Sequence, residues 1–363
     1  MRNVIYADIH VLETVPPSCI NRDDTGSPKT AVYGGTTRAR VSSQCWKKAM
    51  RGMFVDLLPQ DEVGRRTKML HDLLTEAIRQ RDPSLKAEKL AEDALKTAGI
   101  SLKEDKEKLK TGALFFISPS QIDALADLAV QNGGAKMDKK ACQAALKATP
   151  AVDVALFGRM VADDPSLNFD AAAQVAHAIS THTVHNEYDY FTAVDDCAPE
   201  DNAGAGHLGT VEYNSSTLYR YATINVTELQ KHLGDETPEA VRAFMEAFIR
   251  SMPTGKKNTF ANSVLPNAVY VTFRRDQPIN LVGAFEKPVC AGEEGKDGYV
   301  QPSIEAFIDH AKKVYRDYLG EPERAFAIRM ESKKVDGEKL VEKSMSLHEL
   351  LDAVEDSVKE MQA

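Results

Sequence analysis

Six basic residues, Lys29, Arg38, Arg40, Lys47, Lys48 and Arg51, fall between Thr25 and Val55 with no Asp or Glu among them, in a chain whose formal net charge is -9. Within that stretch, "YGGTTRARVSSQCWKKAMR" places a Gly-Gly turn, two arginines two residues apart and a serine-led helix start in succession. The pattern suits an anion. Unpaired N–H groups and the positive dipole end at a helix start attract negative charge. Arg grips phosphate through two donors, and Lys adds a mobile point charge. A merely solubilising face mixes signs, so the lack of acids favours phosphate binding over a solvated helix face. No GxxxxGK[ST] occurs, and no GxGxxG follows a strand here, so a nucleotide-binding loop is not indicated.

Other chemistry-bearing residues give weaker patterns. His177, His182, His185 and Glu187 cluster in "HAISTHTVHNE", but this spacing matches no known metal geometry, and they read as ordinary polar histidines. The pairs Asp23–Asp24 and Asp195–Asp196 could hold Mg²⁺ for phosphodiester cleavage, although adjacent loop aspartates more often form turns or caps. The glycine-rich "AGAGHLGT" lacks the helix and lysine of a phosphate loop and reads as an exposed arm flanked by Phe191 and Leu208. The five cysteines are scattered without a CxxC pair, which favours neither a disulfide framework nor zinc. No metal or cofactor is expected.

The elements that must position these residues follow from periodicity. At 363 residues, 43% hydrophobic and 27% charged, the chain has ordinary globular composition. No apolar run approaches the ~20 residues of a membrane span, the N-terminus does not read as a signal peptide, and a reducing cytoplasm is the expected compartment. Asn3 to Val15 reads as a strand with a phase change between Tyr6 and Ile9. After it, Ser42 or Ser43 caps a helix whose Trp46, Met50, Met53, Phe54 and Leu57 share an apolar face, while Gln44, Lys47, Lys48 and Arg51 share the opposite one. From about Asp61 to Ala151 the texture is charged, alanine-rich and helical, beginning with "DEVGRRTKMLHDLLTEAIRQR". "NFDAAAQVAHAISTHTV" reads as helix running into strand. "STLYRYATINV" is a strand with Tyr219 and Tyr221 on one face and Leu218 and Arg220 on the other. A terminal helix starts at a Ser346–Glu349 capping box. Strands and helices interleave around a helical insert, as in an α+β or α/β domain.

The run from "HVLETVPPSCINRDDTGSPKT" to Arg51 resembles the repeated backbone subunit of the type I-E CRISPR Cascade surveillance complex, the CasC family. So do "VDVALFGRM", "AHAISTH", "DYFTAVDD", "GAGHLGTVEYNSSTLYRYA", "AFEKPV" and "GYVQPSIEAF", in the family's order. The helical insert matches poorly. The resemblance implies an α+β, ferredoxin-like (RNA-recognition-type) palm with a helical fingers insertion and a β-hairpin thumb. The palm would occupy 1–58, 151–183 and 217–363, the fingers 59–150 and the thumb 184–216. It implies a non-catalytic subunit that stacks head-to-tail with copies of itself along CRISPR guide RNA, beside other Cascade subunits, and presents the guide for pairing with target DNA. Protein grips backbone and shape while base pairing reads sequence. By position, the RNA grip falls on Arg22, Lys29, Ser42, Gln44, Lys47, Lys48 and Arg51, with Arg38 and Arg40 as helpers. Arg159 and the wedge-like Met160 match the "GRM" signature, and Phe191, Thr192 and Leu208 match the intercalating thumb. Thr36 stands where the family carries a basic residue, and Lys48 replaces an Arg. Lys136, Lys139, Lys140 and Lys147 are candidate contacts to target DNA, with a solvated face as the competing reading. Two alternatives stay open: a metal-dependent ribonuclease using Asp195 and Asp196, and an α/β enzyme binding a phosphorylated small molecule at Gly34–Ser43.

Overall fold

The computed structural model describes residues 4–106, 108–193, 196–197, 207–291, 298–331, 340–341 and 343–362. Among them one antiparallel sheet of nine strands organises the chain. They are β1 (Tyr6–Ser18), β2 (Thr30–Tyr33), β3 (Thr36–Val41), β4 (Ala173–Val175), β5 (Ala178–Ser180), β6 (Glu187–Ala193), β7 (His207–Asn225), β8 (Ala268–Arg274) and β9 (Arg324–Ile328). The order is β9-β8-β1-β7-β5-β3-β2, and β4 and β6 also pair with β7. Helices α1 (Ser43–Leu57), α2 (Leu70–Arg81), α3 (Ala87–Ala98), α4 (Pro119–Asn132), α5 (Lys139–Leu146), α6 (Val152–Phe157), α7 (Thr237–Arg250), α8 (Val300–Val314) and α9 (Leu347–Gln362) surround it.

Strand β1 is central because both of its faces are apolar enough to bury. Ala7, Ile9, Val11 and Val15 enter one core with Trp46, Met50 and Phe54 of α1 and Phe244 and Phe248 of α7. Leu12 enters another, with Tyr219, Tyr221, Tyr270 and the α8 residues Ile304, Phe307 and Ile308. Burial of each large side chain contributes about 1.5–3 kcal/mol. The alternation runs unbroken, so the expected phase change is absent: Asp8 and His10 are buried with Leu12 on the second face. The face assignment in β7 holds, with Leu218 in the first core and Tyr219 and Tyr221 in the second. Arg220 lies over the Trp46 ring at 3.6 Å and pairs with buried Glu13, tying α1 to the sheet.

Strand β1, α1, the short β4–β5 strands, β7, α7 and β8 form the β-α-β-β-α-β succession of RNA-recognition-type folds. The expected helix before β5 is replaced by β4, whose Ala173 and Val175 pair with Ile224 and Ala222. Long stretches of chain separate α1 from β4, and there α2 to α5 close a third core around Leu74, Ile78, Leu95, Leu125 and Leu146. That insert is not helical throughout. Arg65–Thr67 pairs with Phe115–Ile117, and the neighbouring Gly64 N donates to Asp153 Oδ1 (2.7 Å). Leu102–Asp105 and Lys108–Thr111 make a small hairpin. The C-terminal capping box forms as expected: Ser346 N donates to Glu349 Oε2 (2.8 Å), and Glu349 N donates to Ser346 Oγ (3.3 Å).

Candidate nucleic-acid interface

The basic stretch folds as a hairpin followed by a helix. Gly34 and Gly35 both take positive φ (59° and 75°), the two-residue turn that joins β2 to β3. Ser42 is the cap of α1 and accepts from Cys45 N (3.4 Å), while its own N–H donates to Asn21 Oδ1 (2.9 Å). Lys29 N donates to Asn21 O, and Arg40 N to Lys29 O, both at 2.9 Å. These bonds lace the 19–29 loop to β3 and to the start of α1.

The six cations then divide. Arg38 is fully buried, and its guanidinium donates to Thr36 Oγ1 (3.0 Å), Ser180 O (2.9 Å), Phe285 O (2.9 Å) and Glu286 O (3.2 Å). It is a tertiary tie in this chain, and Thr36 serves that tie. Ser42 is likewise 7% exposed with its hydroxyl engaged in the cap. Arg40 donates from Nε to Thr30 O (2.9 Å) and lies 3.3 Å from His177 Nδ1. Arg51 reaches Asp153 (2.8 Å) and Gly64 O (3.0 Å) and covers the Phe116 ring at 4.4 Å. Lys47 lies over the Phe157 ring at 5.5 Å, and burial lowers its pKa. Gln44 and Lys48 are exposed, and Lys29 is half-buried. The outer stripe of α1 is therefore split, with Lys47 and Arg51 leaning onto the insert and Gln44 and Lys48 facing outward.

Lys48 borders a cleft of about 1060 Å³ between α1, the 20–26 loop and residues 250–264, which also carries Arg22, Asp56, Ser251, Lys256 and Lys257. Among the described residues the side chains of Arg22, Lys48, Lys256 and Lys257 make no hydrogen bond or ion pair. Asp23 in the same wall is engaged as a turn former, accepting from Thr25 N and Ser27 N at 3.0 Å. Arg250 pairs with Glu246. Sequence reasoning missed the 250–264 wall. Its signal is "SMPTGKKN", a lysine pair behind a Pro-Thr-Gly turn, some 200 residues from the basic stretch.

Arg159 is enclosed in the same way. It is 4% exposed and donates to Leu167 O (3.0 Å), Phe116 O (3.1 Å), Gln121 Oε1 (3.0 Å) and Leu146 O (2.8 Å), between the rings of Phe115 and Phe169. Burial without an acidic partner pulls its pKa down to about 10. It fixes the turn that leaves neighbouring Met160 82% exposed. The β6–β7 hairpin pairs Phe191 with Gly209 and Thr192 with Leu208. Directly opposed residues share a face, so Thr192 and Leu208 stand together with Tyr188 and Tyr190, while Phe191 lies on the other face. All of β6 is exposed.

Lys136, Lys139, Lys140 and Lys147 are exposed around α5, with Lys139 3.7 Å from Asp164. His182 is buried, stacked on Tyr299 at 3.6 Å, and accepts from Thr217 N (3.1 Å). It is a structural histidine. Asp196 is exposed, and Asp195 lies outside the described residues. Among the described residues no three His, Cys, Asp or Glu side chains gather to hold a metal ion, and no helix is long and apolar enough to cross a membrane.

Two solved structures are similar over nearly the whole chain. A chain of a "CRISPR RNA-guided surveillance complex, pre-nicking" superposes with a TM-score of 0.81 at 32% identity, covering 97% of this chain and 100% of that one. A chain of a "CRISPR RNA-guided surveillance complex" superposes with a TM-score of 0.72 at 28% identity, covering 97% and 99%. No curated relative matches. The family model described as "CT1975-like protein" matches residues 7–353. The chain belongs to the CT1975-like protein family.

Proposed function

We propose that this protein is a non-catalytic, guide-RNA-binding backbone subunit of a CRISPR surveillance complex, of type I-E and the CasC family, working in the cytoplasm. Copies stack head-to-tail along the guide, together with other subunits of the complex. They hold the guide for pairing with target DNA. The observation that carries the reading is the cleft beside α1, where Arg22, Lys48, Lys256 and Lys257 present cationic groups without partners among the described residues. The full-length likeness to chains of RNA-guided surveillance complexes supports it.

In this reading the sheet and the 43–57 helix act as a palm, α2 to α5 as fingers and the β6–β7 hairpin as a thumb. The cleft grips sugar-phosphate backbone, which positions RNA without reading its sequence. Met160 and the Thr192–Leu208 face of the hairpin offer apolar surface against which an unstacked base packs. Lys136, Lys139, Lys140 and Lys147 lie toward target DNA. No chemical step is assigned to the chain.

The test is the native particle. Expressed with its guide, the protein should purify as a multimer holding RNA of defined length, which stays intact in Mg²⁺. RNA-free monomer at modest salt would overturn the reading. Cleavage of the bound RNA that is lost in Asp195→Ala or Asp196→Ala would convert it to a ribonuclease.

A further inference from the structure

Resting on the RNA-binding reading above, we infer that Ser251, Lys256 and Lys257 form a second phosphate-gripping wall, opposed across the cleft to Arg22 and Lys48. Three independent features of the 250–263 segment point this way.

The first is unsatisfied polarity. Ser251 lines the cleft and is 3% exposed, yet among the described residues its Oγ has no hydrogen-bond partner. Asn262, beside the cleft-lining Ser263, is fully buried, and among the described residues neither of its side-chain polar atoms is bonded. Buried polar groups are almost always paired. The Ser251 hydroxyl lies enclosed just behind the cleft surface, so it reaches an acceptor from outside through a local shift of the wall.

The second is backbone conformation. Lys256 (φ 50°) and Ala261 (φ 49°) are non-glycine residues in the left-handed region, and they bracket the short helix Lys257–Phe260. Such conformations persist only where their surroundings enforce them, and they cluster at ligand clamps. Here the segment is fixed at both ends. A Cβ on Gly255 would sit 2.3 Å from Ile20 O, so glycine is needed for the segment to lie against the 19–20 loop. At the other end Phe260 contacts the Tyr213 ring at the base of the β6–β7 hairpin.

The third is charge. Lys256 and Lys257 have no ion pair among the described residues and face the same cleft as Arg22 and Lys48. Arg22 and Lys48 share their wall with Asp23, Asp24 and Asp56, so the lysine pair opposite supplies positive charge that the near wall lacks. That pair then contributes to counterion release.

The experiment is RNA binding by the full chain as a function of salt, using a mixed-sequence single-stranded RNA between 50 and 200 mM salt. Lys256→Gln with Lys257→Gln should flatten the plot of log K against log salt by about 1.4, at about 0.7 per lost single-strand contact. The pair Lys86→Gln with Lys103→Gln, both exposed on the insert, should leave the slope unchanged. A folded Lys256→Gln/Lys257→Gln protein with the wild-type slope overturns the second wall. Lysine acylation of the unaltered protein gives a readout independent of any variant. RNA should protect Lys256 and Lys257 but not Lys86, and equal reactivity with and without RNA overturns the inference. Failure of the wild-type chain to bind RNA at all would instead overturn the wider reading.

Discussion

Around Arg159 and along the outward side of α1, the same kind of charge sits in opposite surroundings. Arg159 and Arg38 are 4% and 0% exposed, and carbonyl or side-chain oxygens occupy their guanidinium groups. The Arg22 and Lys48 side chains meet no acceptor among the described residues and border a cleft. The first kind of site joins segments distant in sequence, here the insert to the turn after α6. The second leaves positive potential for something outside the chain. A planar fork with five donors suits the first role, and a mobile ammonium suits the second. The comparison teaches that a basic stretch is not one feature. Its residues separate according to whether main-chain carbonyls converge on them.

Arg159→Ala should break this comparison most severely. Three buried carbonyls and the Gln121 side-chain oxygen would lose a donor, at about 1–3 kcal/mol per orphaned buried acceptor before relaxation. A loss of about 4 kcal/mol in unfolding free energy is expected, among the large single-site effects. Urea denaturation measures it. RNA affinity per folded molecule should stay nearly constant, since the guanidinium is not accessible. A variant of near wild-type stability that binds RNA poorly would return Arg159 to the interface.

The division could be read from sequence only in part. Helical spacing shows that Trp46, Met50 and Phe54 share a buried face, and alternation in β7 separates Tyr219 and Tyr221 from Leu218. Both patterns are local, and both hold in the fold. Which cations stay free is not a local property. The acceptors that occupy Arg38 are Ser180 O and Phe285 O, which are 142 and 247 residues away. Asp153, which draws Arg51 off the free stripe, is 102 residues away. The cleft's far wall at Ser251–Lys257 meets the near wall only in the folded chain, where Gly255 lies against Ile20, and its two lysines are too few to mark it on charge alone. Ala-rich sequence favours helix at β4, and pairing with β7 overrides that preference.

A buried anion sharpens the contrast. Asp8, on the second face of β1, accepts from Ile279 N (2.8 Å) and Tyr221 OH (3.1 Å). Burial raises its pKa from 3.8 to about 6, and these hydrogen bonds together with Arg274 limit the rise. Unlike Arg159, a carboxyl can escape the cost of burial by taking up a proton. Its folded-state pKa lies above the unfolded value. The stability contributed by protonated Asp8 is therefore complete below 3.8 and lost as pH rises through about 6. The shift of roughly two pKa units corresponds to about 3 kcal/mol at most. Asp8→Asn should remove this component, so the difference between variant and wild-type stability should change in the variant's favour from pH 4 to pH 7. Parallel profiles would show that Asp8 does not titrate in this window.

Lys48→Gln should have the smallest effect on the fold and so test the other side of the comparison most cleanly. An exposed helix position without an internal partner should change stability by no more than about 0.5 kcal/mol. If the cleft holds RNA, the same substitution should flatten the salt dependence of binding by about 0.7, one single-strand phosphate contact. Arg51→Gln, at the next turn of the same helix, should show the reverse. It leaves the buried Asp153 carboxylate without its cation, so the fold should weaken while the slope holds. The two substitutions lie three residues apart on one stripe. If they changed slope and stability alike, the distinction between occupied and free cations would fail where the sequence makes them look most similar.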